Sequence, residues 1–306
     1  RCRRLPVPPQ RRRAGAAGFA KLVAIKVVHE HLAQDETFVQ MFVDEALLSA
    51  RIQHPNVVHV EELSELDGRH YLVMEFVYGC SLGQLLRELG TRDRKLSPEL
   101  AGYIAIKVAD GLHAAHETRD ARGQNLGVVH RDVSPQNVLM AYQGNVKLID
   151  FGVAKARGAA KTVGGNIKGK FRYMSPEQAN AEDLDRRSDI YALGVVLWEM
   201  LTMRRRFHAN TDMEILDLVR APKPLAPTEF ADDLPAGLDE VVMMAMAVDR
   251  EERFQTAMEF RQALAGVLPR AAMMHESELG FLLGVVMAER IVKDREALPS
   301  NVSGVT

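Results

Sequence analysis

Residues 128–152 read VVHRDVSPQNVLMAYQGNVKLIDFG, and no other stretch restricts the fold of this chain as strongly. The apolar runs Val138-Leu139-Met140 and Val146-Lys147-Leu148-Ile149 alternate with turns that carry Asp132, Asn137 and Asp150. Three oxygen-bearing side chains are thereby directed toward one place. Magnesium takes hard oxygen ligands and usually keeps only one or two carboxylates beside the phosphates it carries, so an Asn and an Asp at this spacing suit a metal-nucleotide site. Asp132 then remains to act as a base.

Each triplet alone reads as a solvated turn, and it is the order, spacing and apolar flanks together that separate this segment from chance. His130-Arg131-Asp132 with Asn137, followed by Asp150-Phe151-Gly152, resembles the catalytic loop and metal-binding turn of the protein kinase family, and the chain looks like a bacterial, eukaryotic-like Ser/Thr kinase of the Hanks type. The resemblance covers about residues 21–268. It implies an α+β, bilobal fold: a small antiparallel sheet with one helix over residues 19–77, a hinge at about 75–80, and a mainly helical large lobe over 81–268. Residues 269–306 form an expected helical extension with no assigned chemistry.

Composition excludes several other classes. With 306 residues and 47% hydrophobic content the chain can bury a large core. A net charge of -2 argues against a general nucleic-acid binder, and the Arg clusters at residues 11–13 and 204–206 read as solvated surface. The two cysteines, Cys2 and Cys80, supply neither a disulfide framework nor metal-ligand spacing, which suits a cytoplasmic location. No apolar run is long enough to span a membrane. The pairs His29/His31 and His113/His116 have no third ligand at a suitable spacing and read as structural histidines.

In chain order, KLVAIKVV at residues 21–28 reads as a strand with Ala24 and Lys26 on one face. By resemblance Lys26 grips the α- and β-phosphates of ATP and Ala24 packs on the adenine. Residues 38–51 read as an amphipathic helix that puts Glu45 on the same face as Phe38 and Phe42. A carboxylate on a buried face needs a partner, and Lys26 is the obvious one if the helix packs on the strand. YLVMEFV at 71–77 reads as a strand, after which Gly79 permits a close chain approach. The resemblance makes Met74 the gatekeeper and gives the adenine to the backbone of Glu75 and Val77; Leu139 completes this nucleotide-binding set.

Ser97 with Pro98 and Glu99 marks the start of a long apolar helix to about His116. Past Asp150, residues 156–169 are rich in Gly, Ala and Lys and ought to be mobile. Thr162 in that segment is an expected activating phosphosite, with Arg131 and Lys155 as cations to receive its phosphate. By resemblance Ser175-Pro176-Glu177 closes the segment, Arg253 pairs with Glu177, and Asp189 ties down the backbone of the catalytic loop. Thr211-x-x-Glu214 and Thr256-x-x-Glu259 read as capping boxes.

Carried over, these assignments make the chain an ATP- and Mg2+-dependent phosphotransferase acting on protein substrates. There are three departures from the family pattern: Ser134 stands where the Ser/Thr branch carries a Lys, Lys170 stands in place of a Thr, and the loop GxGxxGxV is absent upstream of Lys26. They keep open a pseudokinase scaffold as the alternative, while Ser-Pro-Glu and Arg253 disfavour a small-molecule phosphotransferase. Residues 1–18, with six Arg, three Pro and an Arg at the first position, are expected to be an irregular basic tail unable to form the phosphate-covering hairpin, with a misread or truncated start favoured over a basic tail for an anionic partner or an Arg-rich targeting segment. The chain as written is therefore expected to hold ATP poorly. Oligomeric state leaves no signal.

Overall fold

The computed structural model describes residues 11–14, 20–28, 32–151 and 171–298. Its small lobe is a four-stranded antiparallel sheet built from β1 (Arg11–Ala14), β2 (Ala20–Val27), β3 (Val60–Leu66) and β4 (Arg69–Glu75), in the order β1-β2-β4-β3. The register sets Ala24 opposite Met74 and Lys26 opposite Leu72, so these four share a face. One helix, α1 (Glu36–Ser49), covers that face. Asp35 caps it by accepting from the N–H groups of Thr37 and Phe38, and α1 begins two residues before the expected start because this Asp supplies the cap. Phe42 and Ala46 pack with Val28, Val60 and Leu72 into the core of the small lobe.

The expectation of an irregular tail needs correction at β1. Arg11–Ala14 pairs antiparallel with β2, Arg11 opposite Val23 and Ala14 opposite Ala20. The prolines of the tail stop at Pro9, so the peptide N–H groups of Arg11–Ala14 can join a ladder, and strand pairing uses backbone groups whatever the side chains. One strand, β1, therefore pairs with the strand that carries Lys26, where the tail was expected to be irregular throughout; Gly15 and Gly18 lie outside the described residues.

The lobes are joined by residues 76–78, which lie between β4 and β5 (Gly79–Ser81). β4 ends at Glu75, two residues short of the expected strand, where the Glu75 N–H leaves the ladder for the His59 carbonyl at 3.0 Å. β5 opens a second antiparallel sheet with β6 (Val138–Ala141) and β7 (Val146–Leu148). A Cβ at Gly79 would overlap the Met140 carbonyl, so only glycine allows the chain to lie this close.

The large lobe assembles α2 (Leu82–Thr91), α3 (Pro98–His116), α4 (Pro176–Ala179), α5 (Arg187–Thr202), α6 (Asp212–Arg220), α7 (Leu238–Ala245) and α8 (Ala257–Val267). Ser97 caps α3 by accepting from the Leu100 N–H, with Pro98 in the first turn. α5 is buried along nearly its whole length and forms the centre of the core with α3. The box at Thr211 and Glu214 is complete, whereas Glu259 reaches back to the Gln255 N–H and leaves the second box half formed. Three more helices follow: α9 (Pro269–Met273), α10 (Glu276–Val286) and α11 (Ala288–Glu296). No described helix is long and apolar enough to cross a membrane.

Candidate active site

The site lies where β2, α1 and the two loops around β6 and β7 meet. Lys26 Nζ donates to Glu45 Oε1 at 2.8 Å and to Asp150 Oδ1 at 3.0 Å. Burial opposes the ammonium charge, but Asp150 and Glu45 outweigh it and hold the lysine above its usual pKa. One cation thus serves two carboxylates, and burial pushes Glu45 up in a way that Lys26 only partly offsets. The Lys26 charge also stands 6.0 Å from the centre of the Phe42 ring.

The loop that carries His130, Arg131 and Asp132 is held from beneath. Asp189, in the first turn of α5, accepts from the N–H groups of His130 at 2.7 Å and Arg131 at 2.8 Å, and from His116 Nε2 at 2.8 Å. Burial alone would raise this carboxyl, yet the hydrogen bond and charge of His116, with the hydrogen bond from the His130 backbone N–H, hold it below the usual range. His130 accepts the Asp132 N–H on Nδ1 and faces the Ile149 carbonyl at 3.1 Å with Nε2, an arrangement that a neutral ring protonated on Nε2 satisfies at both ends. Its burial lowers its pKa accordingly. Arg131 and Asp150 take left-handed backbone conformations, φ 64 and 60, which non-glycine residues adopt at a cost and which gather at functional sites.

Asn137 Nδ2 donates to the Asp132 carbonyl at 2.8 Å, so its amide oxygen is the atom left to face a cation. The Ile149 N–H donates to the Asn137 carbonyl at 3.0 Å, which ties the residue before Asp150 to Asn137. An amide oxygen and one carboxylate are a hard-oxygen pair suited to magnesium carried on phosphates, and among the described residues no cluster of three or more His, Cys, Asp or Glu offers an alternative metal site.

Of the residues expected to line a nucleotide pocket, Met74 packs against the small-lobe core and Leu139 lies half-buried on β6 opposite Ser81. Val77 sits between β4 and β5, outside both ladders. The Glu75 carboxylate accepts from the His59 N–H at 2.8 Å and from Lys147 Nζ at 2.7 Å, which anchors the start of the hinge. Farther out, Arg253 grips Glu177 through two bonds of 2.7 and 2.8 Å in a setting where Arg253 is 2% exposed; Ser188 donates to the same carboxylate. Thr162, Lys155 and Lys170 lie outside the described residues. Sequence reading missed His116 as a partner of Asp189, Lys147 and His59 as anchors of Glu75, and Gln178, whose amide donates to the Arg131 carbonyl at 3.0 Å. None has a local signal, since each partner is distant in sequence.

Residues 13–264 match the family described as Protein kinase domain. The chain belongs to the protein kinase family. A tyrosine-protein kinase, MasK of Myxococcus xanthus, is 42% identical over 82% of this chain and 39% of its own length. The Ser/Thr kinase PrkC of Bacillus subtilis is 34% identical over 77% of this chain and 35% of its own. The kinase domain of PknI from Mycobacterium tuberculosis superposes with a TM-score of 0.60 at 28% identity, covering 84% of this chain and 87% of that one. The chain thus spans about two fifths of the length of the curated relatives it matches. Kinases of this family use ATP and magnesium and act on protein substrates, and the matched region begins within β1, in keeping with the strand seen there.

Loss of the Asp189 carboxylate is expected to cost about 2 kcal/mol, because two loop N–H groups and His116 lose a charged acceptor. Its pKa is lowered on folding, so its contribution is full above the unfolded value of about 4 and disappears as pH falls through the folded one. Urea denaturation of wild type and Asp189→Asn should give a gap at pH 7 that narrows below about pH 4. A gap independent of pH would contradict this account.

Proposed function

We propose that this chain binds ATP with magnesium and transfers the γ-phosphoryl group to Ser/Thr hydroxyls of a protein substrate in bacterial signalling. The carrying observation is Lys26 joined to both Glu45 and Asp150, beside a loop on which Asp132 and Asn137 are fixed through Asp189. Lys26 orients the α- and β-phosphates, and Glu45 keeps its ammonium in the cleft. Magnesium held by Asn137 and Asp150 would neutralise charge on the transferring group. Asp132 aligns the acceptor hydroxyl and takes its proton. Little covalent assistance is needed for such a transfer, so positioning and charge are what the protein contributes. Adenine would lie between Ala24 and Leu139 and read the backbone of Glu75 and Val77.

Arg131 supports a phosphorylation switch: among the described residues its Nε is buried without a hydrogen-bond partner, a cost that a docked phosphate would relieve. Thr162 is the proposed phosphosite, with Lys155 as a second cation. A cytoplasmic setting suits Cys80, a buried free thiol whose pKa burial pushes up to about 12.

The test is transfer of labelled phosphate from ATP to a mixed protein substrate. Asp132→Asn should lower the rate by about 10²- to 10⁴-fold, as loss of a general base does. Matched Ser, Thr and Tyr peptides test the acceptor, with the aliphatic hydroxyls expected to be preferred. Equal rates for wild type and Asp132→Asn would remove the proposal.

A further inference from the structure

The helices after α9 reach the connection between the lobes. α10 sets its first turn directly on the turn between β6 and β7: a Cβ at Gly144, whose φ is 105, would overlap the Glu276 carbonyl, and one at Gly280 would stand 2.7 Å from the Gln143 carbonyl. Asn145 donates to the Glu276 carboxylate across this seam. The inner face of α10, with Leu279, Leu283 and Val286, is fully buried in the large-lobe core. α11 is different, because none of its residues is buried and its position depends on polar contacts with Ile291 packed beneath.

Those contacts are made to the hinge. Tyr78, the last residue before β5, donates its hydroxyl to the Ile291 carbonyl at 3.0 Å, and Tyr142 donates to Asp294 Oδ2 at 2.6 Å. The two rings meet edge to face with centroids 4.9 Å apart, and the Tyr142 N–H donates to the Tyr78 carbonyl at 3.0 Å. Burial, reinforced by the charge of Asp294, raises the pKa of both phenols and keeps them as donors through neutral pH. Arg290 holds the Asp294 carboxylate at 3.2 Å from within α11. A polar helix is thus fastened, through two tyrosines, to the residue that follows Val77.

We propose that α11 is a brace for nucleotide binding, in which Tyr78, Tyr142 and Asp294 are positioning residues that fix the hinge backbone at Val77. The proposal rests on the reading of that backbone as the adenine contact. A braced hinge presents its peptide groups already oriented, so the ordering cost of binding is met before nucleotide arrives. The effect belongs to ATP affinity and leaves the chemical step alone.

The experiment uses the full chain with Tyr78→Phe, which removes one oxygen and keeps the ring, Asp294→Ala, and Asp294→Asn, which keeps an acceptor for Tyr142. Three quantities are read: KM for ATP against kcat, the Kd of a fluorescent ATP analogue with magnesium, and amide hydrogen exchange over residues 76–81. Tyr78→Phe and Asp294→Ala should each raise KM and Kd about fivefold, the size of one hydrogen bond, with kcat nearly unchanged and faster hinge exchange. Asp294→Asn should stay near wild type. Unchanged KM, Kd and exchange in folded variants would overturn the brace, as would a fall in kcat at constant KM. Should Asp294→Ala fail to fold, Tyr78→Phe carries the test alone. A wild-type chain that binds no nucleotide would instead sink the proposed ATP-dependent transfer by this chain, while hinge exchange would still report on the brace.

Discussion

Asp150→Asn is expected to lower kcat/KM by at least about a thousandfold, roughly 4 kcal/mol of transition-state stabilisation, while leaving the fold in place. The variant tolerates the left-handed backbone at this position, φ 60, because Asn is among the few side chains that visit that region readily. Its cost to stability is small: the side chain is 43% exposed and its ion pair with Lys26 is partly solvated. Lys26 would keep Glu45 and so stay in the cleft. What disappears is the negative oxygen proposed to hold magnesium against the phosphates. Phosphotransfer assays beside thermal melting separate the two effects, and a folded Asp150→Asn with wild-type turnover would show that the metal assignment is wrong.

Arg253→Leu should produce the largest loss of stability, about 3–5 kcal/mol, because it strands Glu177 as a buried, half-compensated charge. A domain of this kind has only about 5–15 kcal/mol in total, so the variant should unfold at much lower denaturant concentration. Burial alone would raise the Glu177 carboxyl; the Arg253 pair and Ser188 outweigh this and hold it below its usual range. Arg253 also donates to the carbonyls of Ala247 and Val248 and stacks over Tyr191, so its removal uncouples three segments at once. The double variant Glu177→Leu/Arg253→Leu should recover part of the loss, since no lone charge remains. Urea titration of the single and double variants measures this, and strictly additive losses would refute the buried-pair explanation.

Legibility in the sequence followed the range of the interaction. Glu45 could be placed beside Lys26 because helical spacing put it on the face of Phe42, and a buried carboxylate must find a cation. Ser97 and Pro98 announced the start of α3 through local capping chemistry. Asp189 and Arg253 were placed by resemblance, and their neighbours were not: His116 reaches Asp189 across 73 positions, and Tyr142 reaches Asp294 across 152. β1 was illegible for another reason. Its ladder is made by peptide groups, and a run of three arginines before Ala14 carries no alternation to signal which face is inward.

The shortness of the connection between the two sheets has a mechanical meaning. β4 ends at Glu75 and β5 starts at Gly79, so the backbone torsions of residues 76–78 absorb most of any change in the angle between the lobes. Glu75 is pinned on one side by His59 and Lys147, and Gly79 is pressed on the other against Met140. On the proposed reading of the Glu75 and Val77 backbone as the adenine contact, opening the cleft and presenting those peptide groups are therefore one degree of freedom. A molecule that stiffens these three residues would set the gape of the cleft, and a partner that pries the lobes apart would release the proposed nucleotide without touching it.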